Sequence, residues 1–224
     1  MPMIPLSAID TLLLDMDGTL LDLHFDNHFW LEHLPKGYAQ RHGLPPAHAQ
    51  EHLLARYKAV RGTLHWYCLD YWSALLELDI VALKQEVAHL IAEHPGVIDF
   101  LDQMRAEGRT VRIVTNAHRA SLNLKLSRTA LGGHFDEAVS SHDYGYPKED
   151  ARFWEALMRA HPFDPARTLL VDDNLCVLRA ARAYGIRHLL AVRRPDSWGD
   201  VVETAEFSAL ESFADLMPDG SLRA

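Results

Sequence analysis

Short apolar runs of strand length alternate with longer amphipathic stretches through most of this chain. Thr11-Leu12-Leu13-Leu14 stops abruptly at Asp15-Met16-Asp17-Gly18-Thr19. Thr110-Val111-Arg112-Ile113-Val114 runs into Thr115-Asn116, and Thr168-Leu169-Leu170-Val171 into Asp172-Asp173-Asn174. A strand buried on both faces of a parallel sheet has no solvent side, so it reads as such a run. Between the runs, residues 97–107 (closed by Gly108), 119–130, 149–160 and 175–184 (closed by Gly185) carry helical periodicity. The alternation predicts right-handed βαβ crossovers and an α/β fold, a Rossmann-like parallel sheet with helices on both faces. Such sheets bind ligands at the carboxyl ends of their strands. All three polar clusters fall there, so distant segments are expected to converge.

Residues 23–94 break the rhythm. They carry helical patterning and many aromatics, with helices predicted over 25–42 (ended by Gly43 and Pro45-Pro46), 47–61 (ended by Gly62), 65–77 and 80–93. The expected organisation is an α/β core made of residues 1–22 and 95–224, with 23–94 inserted as a helical cap. Leu20-Leu21-Asp22-Leu23 reads as a hinge strand, and 203–224 as a C-terminal helix and tail.

Composition narrows the possibilities. A chain of 224 residues, 48% hydrophobic and 24% charged, has ample material for a full core. A formal charge of −9 argues against nucleic acid or an anionic membrane as partner, because both require a basic face. The start, MPMIPLSAID, has no basic region followed by an apolar one, and no apolar stretch approaches membrane-spanning length, so a cytoplasmic location is expected. Cys68 and Cys176 lie in no C-x-x-C pattern and read as reduced, packed thiols. The 14 histidines show no paired metal-ligand spacing and read as surface or cap residues.

The candidate chemistry sits at the strand ends. Asp-x-Asp-Gly-Thr alone is compatible with an exposed turn. Directly after a buried strand it means more, because residues i and i+2 of an extended segment point the same way and both carboxylates can address one site. Taken in order, Asp15-Met16-Asp17-Gly18-Thr19, Thr115-Asn116, Lys148 within Tyr146-Pro147-Lys148-Glu149-Asp150, and Asp172-Asp173 resemble the four motifs of the haloacid dehalogenase superfamily. The stretches LLLDMDGTLLDLHFDNHFW (12–30), LHWYCLDYW (64–72), TNAHR (115–119) and YGYPKEDARFW (144–154) resemble its bacterial GMP/IMP nucleotidase branch.

That resemblance implies a phosphatase. A phosphate monoester is a dianion, so an anionic nucleophile approaches it only with the charge screened, and an oxygen-ligated Mg²⁺ is the natural screen. Asp15 and Asp173 would give carboxylate oxygens to the metal and Asp17 its carbonyl, with Asp172 a direct ligand or bridged by water. Asp15 would attack phosphorus, Asp17 would move protons, and Lys148 would neutralise the transferring group. Thr115 and Asn116 suit phosphate oxygens at a helix start, with helix capping the plain alternative.

Selectivity is expected from the cap. Its aromatics, among them Trp30, Trp66 and Tyr71, can stack a purine, and Asn27 can hydrogen-bond its edge, although a small lobe also needs aromatics for its own packing. The resemblance points to a purine nucleoside monophosphate such as IMP or GMP. A β-phosphoglucomutase-like phosphomutase or a sugar-phosphate phosphatase would share the motifs. An inactive nucleotide-sensing module would be expected to have lost Asp15, Asp17, Lys148 or Asp173, and all four are present.

Overall fold

The computed structural model describes residues 6–217. Six strands form one parallel sheet in the order β3-β2-β1-β4-β5-β6. They are β1 (Thr11–Leu14), β2 (Thr110–Thr115), β3 (Glu137–Ser140), β4 (Thr168–Asp172), β5 (His188–Val192) and β6 (Ser208–Leu210). The three central strands are the apolar runs, and every residue of β1 and β4 is buried. The edge strands β3 and β6 escaped the sequence reading because they are short and half-exposed, without a continuous apolar run. β5 also went unread, its first two residues being only partly buried.

Alternation along β1 sends Leu12 and Leu14 to one face and Leu13 to the other. Leu12 and Leu14 join Val111, Ile113, Leu169 and Val171 beneath helix Val97–Ala106. Leu13 joins Val114 and Leu170 beneath Ala151–Ala160 and Leu175–Tyr184, through Phe153, Trp154, Leu157 and Leu178. Helices therefore cover both faces. In register, Leu14 pairs with Ile113 on one side and Val171 on the other. One step further, Asp15 stands beside Val114 and Asp172.

Between β1 and Val97 the chain forms helices α1 (His24–His28), α2 (Leu34–His42), α3 (Pro46–Val60), α4 (Leu64–Tyr67), α5 (Leu69–Leu76) and α6 (Ile80–Glu86). Their apolar side chains, including Phe25, Phe29, Leu53, Trp72 and Ile80, pack in a separate cluster. The core helices continue the numbering as α7 (Val97–Ala106), α8 (Arg119–Arg128), α9 (Ala151–Ala160) and α10 (Leu175–Tyr184).

Several expected elements differ. The helix expected over 25–42 widens into a π turn at Phe29–His33, just before Pro35, which has no N–H to donate to Leu31. The helix expected over 65–77 breaks at Cys68, whose extended backbone lets its sulfur accept the Tyr71 N–H. The last one stops at Glu86 and continues as a 3₁₀ turn at Ala88–Leu90. The expected C-terminal helix is replaced by β6 and a 3₁₀ turn at Phe213–Leu216, because Ser208-Ala209-Leu210 extends the sheet; residues 218–224 lie outside the described residues. Leu20–Leu23 makes only isolated bridges instead of a strand. It runs beside residues 92–94, with Asp22 N–H donating to Ala92 O at 2.9 Å and His94 N–H to Leu20 O at 2.9 Å. Among the described residues no helix is long and apolar enough to cross a membrane.

Candidate active site

Strand ends place the acidic groups and one loop brings the lysine. Lys148 is buried, and its ammonium donates to Asp15 Oδ1 at 2.6 Å, Asp172 Oδ2 at 2.7 Å and Val114 O at 2.9 Å. Three acceptors match the three N–H bonds of an ammonium, so the side chain is held in one position. Asn116 positions the loop itself: its Oδ1 accepts the Lys148 main-chain N–H at 2.9 Å and its Nδ2 donates to Glu149 at 2.9 Å. Glu149 also accepts from Tyr67 Oη at 2.8 Å and Asn174 Nδ2 at 3.2 Å. The nearby helix α8 is capped by His118, which accepts the Ala120 N–H, so capping falls to a neighbour of Asn116. Thr115 Oγ1 accepts the Ala117 N–H at 3.0 Å, which leaves its hydroxyl proton free to donate.

Asp15, Asp172 and Asp173 offer carboxylate oxygens within 4.8 Å of one another. Burial raises the Asp15 carboxyl to about 7, with Lys148 opposing and Asp172 adding to the rise. Burial, then the charges of Asp15 and Asp172, likewise lift Asp173 well above its usual value. An all-oxygen donor set that repels itself this strongly fits a hard divalent cation. Gly18 makes the approach possible: at φ +76° a Cβ there would stand 2.7 Å from Asp173 Oδ2.

Asp17 faces the same cavity but has its own cation. Lys125, on α8, lies 2.6 Å from Asp17 Oδ1 and also pairs with Asp26 of α1, while Lys84 of α6 holds Asp26 at 2.7 Å. Burial raises Asp17 to about 6, with Lys125 opposing and Asp26 and Asp15 reinforcing. The sequence reading missed Asp26, Lys84, Lys125 and Glu149. The available signal was a lysine on an apolar helix face: Lys125 stands three residues after buried Leu122, and is itself buried.

Above these groups lies a cavity of about 590 Å³, bounded on the helical side by Asn27, Trp30, Tyr57, Arg61, Trp66 and Trp72. Trp30, Tyr57, Trp66 and Trp72 also pack on one another, so the wall doubles as core. Asn27 donates to Asp196 at 2.7 Å. Tyr71 does not line the cavity; it stacks on His65 at 4.5 Å, and Trp72 takes the inward place because α5 turns that face toward α3. Cys176, expected to be packed, is exposed and also borders the cavity.

A twisted parallel sheet with acidic strand ends, a buried lysine bridging two of them and helices above defines a hydrolase of known type. The chain belongs to the haloacid dehalogenase-like hydrolase family, which it matches over residues 9–185. It is 42% identical to the GMP/IMP nucleotidase YrfG of Escherichia coli (strain K12) over 210 residues, 94% of this chain and 95% of that protein. Among solved structures it resembles a HAD phosphatase from Thermococcus onnurineus, with a TM-score of 0.76 at 21% identity over 93% of this chain and 96% of the other. A putative β-phosphoglucomutase from Thermotoga maritima superposes with a TM-score of 0.64 at 18% identity, over 93% and 96% of the two chains.

Proposed function

We propose that this enzyme is a Mg²⁺-dependent phosphomonoester hydrolase that removes phosphate from purine nucleoside 5′-monophosphates, IMP and GMP, through an aspartyl phosphate. What carries this assignment is the Lys148 ammonium, bonded at once to Asp15 and Asp172 on the floor of a cavity with an indole-rich wall. The likeness to the E. coli GMP/IMP nucleotidase supports the substrate class.

Asp15, Asp173 and Asp172 would hold Mg²⁺ through carboxylate oxygens, with the Asp17 carbonyl as a further donor. When bound, that ion supplies charge screening for a dianionic substrate. Asp15 attacks phosphorus in line, the P–O ester bond breaks, and the phosphoryl group stays on the carboxylate. Asp17 gives its proton to the departing nucleoside oxygen and takes one from the water that then cleaves the aspartyl phosphate. A carboxyl held near 6 is suited to both roles at neutral pH. Lys148 neutralises Asp15 and the transferring oxygens, and Thr115 donates its hydroxyl proton to one of them. Asn116, whose amide is spent on the Lys148 loop and Glu149, acts by positioning Lys148. The paired connections at residues 20–22 and 92–94 act as the hinge on which residues 23–94 move as a cap.

The deciding experiment is a panel of phosphate esters assayed for free phosphate, with EDTA and Asp15→Asn controls. IMP and GMP are expected to lead. Equal rates with sugar phosphates would overturn the purine preference, and transfer of phosphate to a sugar without release would overturn hydrolysis.

A further inference from the structure

Besides the acidic group, the described residues bring a second set of metal-ligating side chains together, and its chemistry is different. Donor atoms of Cys68, His118 and His142 all lie within 4.8 Å of one another. Cys68 sits at the break between α4 and α5, His118 at the start of α8, and His142 in the 3₁₀ turn Ser141–Asp143 that follows β3. The sequence reading treated the histidines as scattered, because these ligands share no local spacing and meet only through the fold.

His142 Nε2 is buried and has no hydrogen-bond partner. A buried ring nitrogen without a partner costs free energy that a ligand would recover. The His118 and His142 rings meet edge to face, 5.0 Å between centroids. His118 Nδ1 takes the Ala120 N–H at 3.4 Å and Nε2 lies 3.5 Å from Asp70 Oδ2, so ligation through Nε2 moves the ring proton to Nδ1 and gives up the long Ala120 contact. The Cys68 sulfur takes the Tyr71 N–H at 3.4 Å at the first turn of α5, which fixes its position.

One thiolate and two imidazoles select a borderline metal of the zinc class, whereas the three carboxylates select Mg²⁺. Bond lengths of about 2.0–2.3 Å in a tetrahedral zinc site put donors about 3.3–3.8 Å apart, inside the 4.8 Å that bounds these three. We propose that Cys68, His118 and His142 form a zinc-class site distinct from the Mg²⁺ site, completed by Asp70 or water, and that occupancy inhibits the enzyme. Cys68 comes from the helical segment, whereas both histidines come from the sheet's side. A shared ion would pin one to the other and stop the opening that lets product leave. His118 also borders the cavity, so its movement onto a metal alters the entrance.

Metal-free, full-length protein in saturating Mg²⁺ is titrated with Co²⁺ and followed by absorption. A thiolate-to-cobalt charge-transfer band with tetrahedral visible bands is expected, displaced by Zn²⁺, unchanged in Cys176→Ser and absent in Cys68→Ser. His142→Ala is expected to weaken Co²⁺ binding by at least about tenfold. A wild-type spectrum without the thiolate band, or a band that survives in Cys68→Ser, would overturn the site. Phosphate release in saturating Mg²⁺ is expected to be inhibited by Zn²⁺ in the wild type and resistant in Cys68→Ser. Equal inhibition of a folded Cys68→Ser protein would overturn the regulatory role. The cobalt spectrum does not depend on which phosphate ester is hydrolysed, so it stands or falls apart from the nucleotidase assignment.

Discussion

Two clusters of buried charge face the same cavity and are balanced in opposite ways. On the floor, Asp15, Asp172 and Asp173 share one ammonium, that of Lys148. At the junction with the helical segment, Asp17 and Asp26 share two, Lys125 and Lys84. Burial raises every one of these carboxyls, and the local cations decide where each settles: Asp15 rises to about 7, while Lys125 and Lys84 hold Asp26 down at about 2. The junction is neutral by itself, and its Asp26, Lys84 and Lys125 form a structural setting around Asp17. The floor leaves negative charge uncompensated, as the proposed binding of a divalent cation and a phosphoryl group requires.

Removing the proposed nucleophile is the most severe test of the floor. Asp15→Asn is expected to lower phosphate release by at least about 10⁴-fold while leaving the fold intact by circular dichroism. Residual turnover near wild type would place the attacking group elsewhere. Asp17→Asn should cost about 10²–10⁴-fold in kcat, and a loss confined to KM would contradict its proton-moving role.

The junction is tested through stability. Lys125→Met leaves Asp17 and Asp26 with Lys84 alone, and breaking a buried pair in this way costs about 3–5 kcal/mol, read by urea unfolding. A change under 1 kcal/mol, within the usual worth of an exposed pair, would mean that water reaches the network.

Opposite shifts also predict opposite pH windows. Asp15 and Asp17 have folded pKa values raised to about 7 and 6. Their contribution is complete below the unfolded value near 4 and is lost as pH rises through 6–7. Metal-free protein is therefore expected to lose stability from pH 4 to 7, and added Mg²⁺ to remove most of that loss. Asp26, with its pKa lowered, contributes above about 4 and loses that contribution as pH falls toward 2. A urea midpoint in EDTA that rises from pH 4 to 7 would contradict this assignment. The smallest effect is expected from the wall: Trp66→Ala should change the ratio of IMP to sugar-phosphate turnover by about 10-fold, the scale of one base stacked on an aromatic side chain.

Of the chemistry, the strand-end residues were legible because a strand buried on both faces must be apolar throughout, so Asp15, Thr115 and Asp172 stand out where β1, β2 and β4 end. The order of motifs along the chain located Lys148. Lys125 and Lys84 were not legible in this way, since a lysine in a helix reads as solvated until its surroundings are known. Tyr71 and Trp72 are adjacent in sequence, and only the packing of α5 turned one outward and the other into the cavity.

The sequence alone determined the local terms: the apolar runs of β1, β2 and β4, the glycine stops that follow α2, α7 and α10, and which residue types stand at the strand ends. Those follow from periodicity and backbone chemistry, which act over a few residues. Tertiary structure decided which charges are paired, which indoles face the cavity, and that Cys68, His118 and His142 meet at all. Each of these depends on the approach of side chains far apart along the chain, and a buried charge is stabilised or strained by whichever groups the fold places within a few ångströms of it.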